Sequence, residues 1–129
     1  MSAILLVDDD PLHASVRKAI LERKFADVRR VSGASEALCL LEQTPIARDL
    51  QMVVTSDRLT EIDLPSFIAE LHLRIPQVPV LVICDKDRCE EKMSSYSTRF
   101  LKRPVSADDL LVAAQNLLNS FGRLQLKTA

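Results

Sequence analysis

Five short stretches of the chain are predicted as strands from their hydrophobic pattern. The runs at 3–7, 50–54 and 77–84 are almost continuously apolar and are rich in Val, Ile and Leu. Short runs of this kind are typical of strands that are buried on both faces of a sheet. More polar stretches at 27–31 and 99–105 predict a peripheral second strand and a short fifth strand.

Four segments between and after these runs carry apolar residues at helical spacing. Two of them begin with an acid and a proline, Asp10-Pro11 and Asp63 with Pro65, which is the pattern of an N-cap followed by a proline in the first turn. The predicted inner faces are, in chain order, Leu12, Val16, Ala19 and Ile20; Ala37, Leu38 and Leu41; Leu64, Phe67, Ile68 and Leu71; and Leu110, Ala114, Leu117, Leu118 and Phe121.

The other two helices are bounded by different residues. Ser35 opens the second helix, and Pro45 is expected to end it. Ser106 with Asp109 three residues later resembles a capping box at the start of the last helix. Gly122 is expected to end that helix in the left-handed conformation.

Strands and helices therefore alternate along the chain. This order predicts a parallel sheet with helices on both faces, joined by right-handed crossovers. In such sheets the ligand site lies beyond the carboxyl ends of the strands. The stretch at 85–99 has only Cys89, Met93 and Tyr96 as apolar points, so a helix there is expected to fray. The candidate functional residues are those that follow the apolar runs: Asp8, Asp9, Asp10, Ser56, Asp57, Arg58, Cys84, Asp85, Arg103 and Pro104.

Composition and charge narrow the class of protein. The 129 residues are 47% hydrophobic and carry a net charge of −1, which suits one ordinary domain and gives no basic field for nucleic acid. No apolar run approaches the ~20 residues of a membrane span, and no basic segment precedes the first apolar run. We predict a cytoplasmic domain over 1–122, a tail or linker over 123–129, and no direct contact with nucleic acid or membrane.

The cysteines and histidines form no recognisable site. Cys39, Cys84 and Cys89 are odd in number and unpatterned, which suits a reducing cytosol. Cys39 lies on a helical apolar stripe and is expected in the core. His13 and His72 are isolated, which argues against a His/Cys metal site.

Adjacent carboxylates directly after the first strand are the clearest chemical signal. They repel one another and cost folding energy unless a positive charge lies between them. Hard oxygen ligands of this kind suit Mg²⁺, which often binds one or two carboxylates together with phosphate and water. The alternative is that Asp10 is only an N-cap and that Asp8 and Asp9 are solvated loop acids.

Four segments together carry a family resemblance: ILLVDDDP, GASEALCLLE, VPVLVIC and FLKRPVSADDLL. Over nearly its whole length the chain resembles the receiver domain of bacterial two-component response regulators. The resemblance implies a flavodoxin-like, doubly wound α/β fold with a parallel five-stranded sheet in the order 2-1-3-4-5. It also implies transfer of a phosphoryl group from a histidine kinase to an Asp at the end of the third strand, assisted by Mg²⁺. A Thr or Ser after the fourth strand and a Lys after the fifth would read out the phosphate.

Asp8 and Asp9 match the acidic pair of this family, but the third strand departs from its pattern. Members often read Val-Val-Thr-Asp where this chain has VVTS at 53–56. The flanking residues fall into register without a gap and put Ser56 at the phosphoacceptor position. A shift by one to place Asp57 there loses most of these matches. We favour Ser56, keep Asp57 as the alternative, and expect Asp57 one step outside the pocket.

The readout positions depart from the family as well. Cys84 stands where Thr or Ser is expected, and a thiol is a weaker donor than a hydroxyl. Arg103 stands where Lys is expected and is not equivalent to it. Pro104 is the candidate for a cis peptide, and Phe100 takes the position of the switch aromatic. Lys102 is expected to point away from the pocket, because side chains alternate along a strand.

These changes weaken the chemistry that the resemblance implies. A hydroxyl needs a base to activate it, whereas a carboxylate is already an anionic nucleophile at neutral pH. Losing a carboxylate also removes a metal ligand. Mg²⁺ held by Asp8, Asp9 and the Arg58 backbone carbonyl is therefore expected to bind weakly or not at all.

The sequence is compatible with three functions. The favoured one is a degenerate receiver, or pseudo-receiver, that is no enzyme and works through a histidine kinase or other signalling protein, a homodimer or an attached effector domain. The second is a working receiver that phosphorylates and dephosphorylates itself at Asp57 with Mg²⁺. The remote third is a small-ligand-binding flavodoxin-like protein, which the scarcity of glycine (2 Gly) and the absence of Trp argue against. A hydrolase centred on Ser56 would lack a nucleophile elbow.

Overall fold

The computed structural model describes residues 3–76, 78–84 and 97–128. Five β-strands and five α-helices lie within these ranges. In chain order they are β1 (Ala3–Val7), α1 (Pro11–Leu21), β2 (Asp27–Val31), α2 (Ala34–Leu41), α3 (Thr44–Asp49), β3 (Leu50–Ser56), α4 (Leu64–Arg74), β4 (Val80–Cys84), β5 (Thr98–Lys102) and α5 (Ala107–Thr128). Most of the stretch that was expected to fray, up to residue 96, lies outside the described residues.

The strands form one parallel sheet in the order β2-β1-β3-β4-β5. This confirms the predicted sheet and its strand order. Val7 at the end of β1 pairs with Val31 of β2 and with Thr55 of β3, so the ends of these strands lie level. Strand order reverses between β1 and β3, which places a crevice at their carboxyl ends.

The apolar residues of the sheet divide into two cores, one on each face. Leu5 and Val7 contribute to the core shared with α2 and α4, whereas Ile4 and Leu6 contribute to the core shared with α1 and α5. Every residue of β1 and β4 is buried, as expected for strands covered on both faces. Because side chains alternate along the strands, the sheet packs against helices on both of its faces.

Two of the helices begin where the sequence predicts. The Asp10 carboxylate accepts hydrogen bonds from the amides of Leu12 and His13, at 3.0 and 3.2 Å. The Asp63 carboxylate accepts from the Ser66 amide at 3.1 Å. Each aspartate satisfies amides that a helix leaves without a backbone partner, and the proline in each first turn removes one further unpaired donor.

The inner face predicted for α1 is wrong at Leu12, Val16 and Ala19, which are exposed, whereas Ile20 packs against the core as predicted. Leu12 and Val16 are 71% and 52% exposed, whereas Ala14 and Leu21 are buried. Apolar residues occur on more than one side of this helix, so their spacing alone does not fix its rotation. The observed rotation turns Arg17 toward the carboxyl end of β1, where it meets an acid.

The expectation that Cys39 lies in the core is also wrong. Helix α2 buries Ala34, Ala37 and Leu41, which share one face at helical spacing. Cys39 lies on the opposite side, exposed and free. The apolar stripe of this helix is narrower than the sequence suggested.

Several element boundaries differ from the prediction, including the start of β4 at Val80 and the end of β5 at Lys102. Pro45 lies in the first turn of the short helix α3, where proline is tolerated, and α2 has already ended at Leu41. Strand β3 runs two residues past the predicted end, to Ser56. Gly122 lies inside α5, which continues to Thr128. In the part of the chain that is described, no helix combines the length and the apolar character needed to cross a membrane.

Candidate functional site

A cavity of about 690 Å³ opens at the carboxyl ends of the strands. It is lined by seven of the residues singled out from the sequence: Asp8, Asp9, Asp10, Ser56, Asp57, Arg58 and Arg103. A second cavity of about 380 Å³ lies beside it and is lined by Asp57, Cys84 and Phe100, among others. The fold therefore brings the predicted acidic, acceptor and readout positions to one end of the sheet.

The two carboxylates of the acidic pair lie in different environments. Asp8 is buried, and its Oδ2 pairs with Nη1 of Arg17. Its Oδ1 accepts from the backbone amide of Asp10 at 3.1 Å. Asp9 is exposed at the rim of the cavity. A guanidinium from α1 thus compensates the buried member of the pair.

A second arginine holds the backbone at the same point. Nε and Nη2 of Arg30, on β2, donate to the backbone carbonyl of Asp8 at 3.2 and 2.8 Å. The Asp8 amide donates to the carbonyl of Val31 at 3.1 Å. These bonds extend the pairing of β1 and β2 past the strand end and fix the backbone from which the Asp8 side chain projects.

Arg103 joins both candidate acceptor residues. Its Nη2 donates to Oγ of Ser56 at 2.8 Å, and its Nη1 donates to Oδ1 of Asp57 at 3.0 Å. Ser56 Oγ also accepts from the Arg58 amide at 3.1 Å. The side chains of Arg103 and Asp57 are only 16% and 8% exposed, so this ion pair is shielded from water.

The position of Asp57 differs from the expectation that it would lie one step outside the pocket. It lines both cavities and shares Arg103 with Ser56. Its amide donates to the carbonyl of Ile83 at 3.0 Å, which carries the pairing of β3 and β4 one residue further. Asp57 remains at the sheet end because this bond and Arg103 both hold it there.

The backbone at the end of β5 presents Arg103 to the cavity. The Arg103 amide donates to the carbonyl of Cys84 at 2.8 Å. The Arg103–Pro104 peptide bond is cis, at the position where the sequence suggested one. Lys102, one residue earlier, is exposed and does not line either cavity, as strand alternation predicts.

The readout position on β4 does not carry a thiol. Cys84 is buried and disulfide-bonded, so the expectation of a thiol at that position is wrong. Its Sγ lies 3.8 Å from the carbonyl oxygen of Leu101 and has no proton to donate. Phe100 is half-buried and packs against the core that includes Cys84. Neither residue offers a hydrogen-bond donor toward the acceptor position.

The loop after β3 is tied to α2 by an acid that the sequence did not single out. Glu61 Oε1 accepts from the Ser35 amide at 3.2 Å, and hydrogen bonds from Ser35 lower the pKa of the Glu61 carboxyl. A Cβ at Gly33 would lie 2.5 Å from the same oxygen, so glycine leaves room for this carboxylate. Glu61 supplies the cap that Gly33, at the N-cap of α2, lacks.

The residues at the acidic end do not fit a Mg²⁺ site. The buried carboxylate, Asp8, is already paired with Arg17 and hydrogen-bonded to a backbone amide. The Asp57 carboxylate is paired with Arg103. Across residues 3–76, 78–84 and 97–128, no three or more His, Cys, Asp or Glu side chains are grouped so that they could hold a metal ion.

Sequence reasoning missed the arginines that compensate this site. Arg17 and Arg30 lie nine and 22 positions from Asp8 along the chain, and only the rotation of α1 and the pairing of β2 bring them close. One signal was present in the sequence. Arg17 lies three residues after Ala14 and four before Leu21, so it shares a helix face with two small or apolar residues.

Comparison with known proteins supports the fold. Neither a protein-family model nor a curated protein matches this chain. Similar solved structures include a response regulator receiver protein from Sinorhizobium medicae, with a TM-score of 0.78, 22% identity, and coverage of 92% of this chain and 94% of that chain. A CheY-like receiver domain protein from Methanospirillum hungatei has a TM-score of 0.80 and 21% identity, covering 95% and 98%. A structure described as adenylate cyclase from Rhodopirellula baltica has a TM-score of 0.83 and 21% identity, covering 98% and 94%.

These likenesses extend over nearly the whole of each chain compared. The chain therefore has the flavodoxin-like fold of response regulator receiver domains, as its sequence predicted. At 21–22% identity the likeness concerns the fold, and the chemistry depends on the residues of the site.

Proposed function

We propose that this chain is a receiver-like signalling module that is degenerate at the phosphoacceptor and acts through protein contacts rather than conventional phosphorylation. One observation carries the proposal. The guanidinium of Arg103 is shared between the Ser56 hydroxyl at 2.8 Å and the Asp57 carboxylate at 3.0 Å. The group at the aligned acceptor position is thus an alcohol that already accepts a charged hydrogen bond.

The chemistry of this arrangement disfavours attack on a phosphoryl group. A serine hydroxyl must lose its proton to become a strong nucleophile, and a neighbouring base has to take that proton. The Ser56 oxygen accepts hydrogen bonds from Arg103 and from the Arg58 amide, and both groups are donors. The Asp57 carboxylate shares this arginine through an ion pair. The donors around the Ser56 oxygen hold it as a hydrogen-bond acceptor, whereas activation would require a base that takes its proton.

A working receiver that uses Asp57 is the second candidate, and one observation favours it. Asp57 lines the cavity beside Asp8 and Asp9, so its carboxylate is near the acidic pair. Acceptance of a phosphoryl group there would require Asp57 to leave its ion pair with Arg103. Arg103 would then hold the phosphate, a role for which its planar fork is suited.

Intact-protein mass spectrometry after incubation with acetyl phosphate and Mg²⁺ separates the two candidates. We expect no adduct of roughly 80 Da on the wild-type chain, under conditions that phosphorylate a conventional receiver domain in parallel. An adduct that is retained in Ser56→Ala and lost in Asp57→Asn would establish the second candidate. An adduct lost in Ser56→Ala alone would also contradict the proposal, because it would identify serine as the acceptor.

The partners proposed for such a module are proteins. A histidine kinase, another signalling protein, a second copy of this chain or an effector domain attached to it would each read the surface of the fold. The similar structure described as an adenylate cyclase supports attachment to an effector. The exposed apolar residues Leu12 and Val16 of α1 provide a surface that a protein partner could cover.

A further inference from the structure

At the acidic end of the sheet, the chain itself supplies a positive charge, the guanidinium of Arg17. Arg17 projects from the buried side of α1, and its Nη1 contacts Oδ2 of Asp8. The two side chains are 11% and 3% exposed, so the pair is nearly removed from water. A carboxylate this deeply buried needs a positive partner, because burial alone disfavours its charged form.

The pair is fixed from both sides, which distinguishes it from a surface ion pair. The other oxygen of Asp8 accepts from the Asp10 amide at 3.1 Å. The Asp8 carbonyl accepts two bonds from Arg30, which holds the backbone beneath the carboxylate. Both carboxylate oxygens are therefore engaged by donors of this chain, at the place where a metal ion would need at least one of them.

We propose that the Arg17 guanidinium is the resident cation of this pocket and that it excludes a divalent metal ion. For Mg²⁺ to bind Asp8, it would have to displace a buried guanidinium and leave Arg17 without its partner in a site of low exposure. Mg²⁺ also gives up bound water reluctantly, which makes a partly blocked carboxylate a poor ligand. Asp9, exposed at the rim, would be left as a single carboxylate ligand.

This inference goes beyond the proposed function. It concerns the metal and not the phosphoacceptor, and it is tested without a phosphodonor. It predicts that Arg17 is the group that keeps Mg²⁺ from the Asp8 carboxylate. Replacing the arginine by glutamine, an uncharged and shorter side chain, frees the Asp8 carboxylate while keeping the packing of the first methylene groups.

Thermal unfolding with and without about 10 mM MgCl₂ tests the inference, because a ligand that binds the folded state raises the midpoint. We expect no Mg²⁺-dependent shift for the wild-type chain. Arg17→Gln lowers the midpoint without metal and gains a Mg²⁺-dependent rise of about 3 °C or more. The rise disappears in Arg17→Gln combined with Asp8→Asn, because the freed ligand is then gone.

Arg29→Gln is the matched control, since Arg29 pairs with Asp27 at the surface with side chains 49% and 31% exposed. It should show no Mg²⁺-dependent shift. The inference is overturned if wild type shifts with Mg²⁺ as much as Arg17→Gln does. It is equally overturned if folded Arg17→Gln shows no Mg²⁺-dependent rise.

A measurement on the wild-type chain covers the case in which Arg17→Gln does not fold. Mn²⁺ broadens the amide NMR signals of residues that lie close to it. We expect the signals of Val7 and Asp8 to survive Mn²⁺ additions that broaden those of a conventional receiver domain at the aligned positions. Selective loss of these signals would overturn the inference. No phosphodonor is present, so this result is independent of the acetyl phosphate experiment.

Discussion

At the scale of single residues, two arginine–carboxylate pairs define the site: Arg17 with Asp8, and Arg103 with Asp57. Arg103 stands where the resemblance to receiver domains implies Lys, and its two terminal nitrogens donate to two different acceptors, Ser56 and Asp57. A lysine ammonium is a point charge on a flexible stem and cannot reproduce this planar fork. The geometry therefore gives a reason for arginine that the sequence alone did not offer.

Arg103→Lys tests this fork. We expect a loss of about 1–3 kcal/mol in the free energy of unfolding, because one charge-assisted hydrogen bond in a shielded site is left unmade. Arg48→Lys, the same exchange at an exposed position of α3, should change it by no more than about 0.5 kcal/mol. Urea denaturation measures both, and equal effects of the two substitutions would contradict the importance of the fork. In a Ser56→Ala background the cost of Arg103→Lys should fall.

At the scale of elements, the sequence pattern predicted strands and helix starts, but it did not predict the rotation of α1 or the end of α5. Continuous apolar runs predicted β1 and β4. An aspartate followed within two residues by a proline predicted the starts of α1 and α4. The rotation of α1 could not be deduced because its apolar residues lie on several sides. The buried face it adopts, with Arg17 beside Ala14 and Leu21, is set by a tertiary contact to Asp8.

The end of α5 is the second feature that the sequence pattern did not predict. Whether Gly122→Ala stabilises or destabilises the protein tests where this helix ends. Gly122 lies inside the helix rather than at its end. Gly122→Ala should therefore stabilise the protein by about 0.5–1 kcal/mol, because alanine favours the helix interior. If Gly122 ended the helix in the left-handed conformation, the same change would destabilise it. Asn116→Ala, in the same helix, is the control for helix propensity, and chemical denaturation measures both.

At the scale of the whole molecule, the sheet separates two apolar cores and carries all the described candidate site residues at one end. Parallel strands made this arrangement predictable, since their carboxyl ends must lie together. The compensation of charge at that end was not predictable. It depends on arginines of α1 and β2 and on Arg103, directly after β5, which are far apart in sequence.

The molecule also collects exposed carboxylates at the starts of its helices. Hydrogen bonds accepted from backbone amides or from serine hydroxyls lower the pKa of Asp10, Glu36, Glu61 and Asp63. A carboxyl whose pKa is lower in the folded protein contributes stability above its unfolded pKa. That contribution is lost as the pH falls through the folded value.

We therefore expect the free energy of unfolding to decline as the pH is lowered below about 4. In the double variant Asp10→Asn with Asp63→Asn, the decline should be shallower, because two of the lowered carboxyl groups are gone and asparagine still caps a helix. Urea denaturation at a series of pH values measures the slope. An unchanged slope in the double variant would show that these two groups do not supply the acid sensitivity.

The ion pair between Arg17 and Asp8 also restricts the order in which mutations can accumulate. A change at Arg17 alone leaves a buried carboxylate uncompensated, and a change at Asp8 alone leaves a buried guanidinium in the same position. An aspartate introduced at position 56 would face Arg103 while that arginine already holds Asp57. A single change at either Arg17 or Asp8 thus costs folding stability. Selection for a stable fold therefore favours keeping the two residues together.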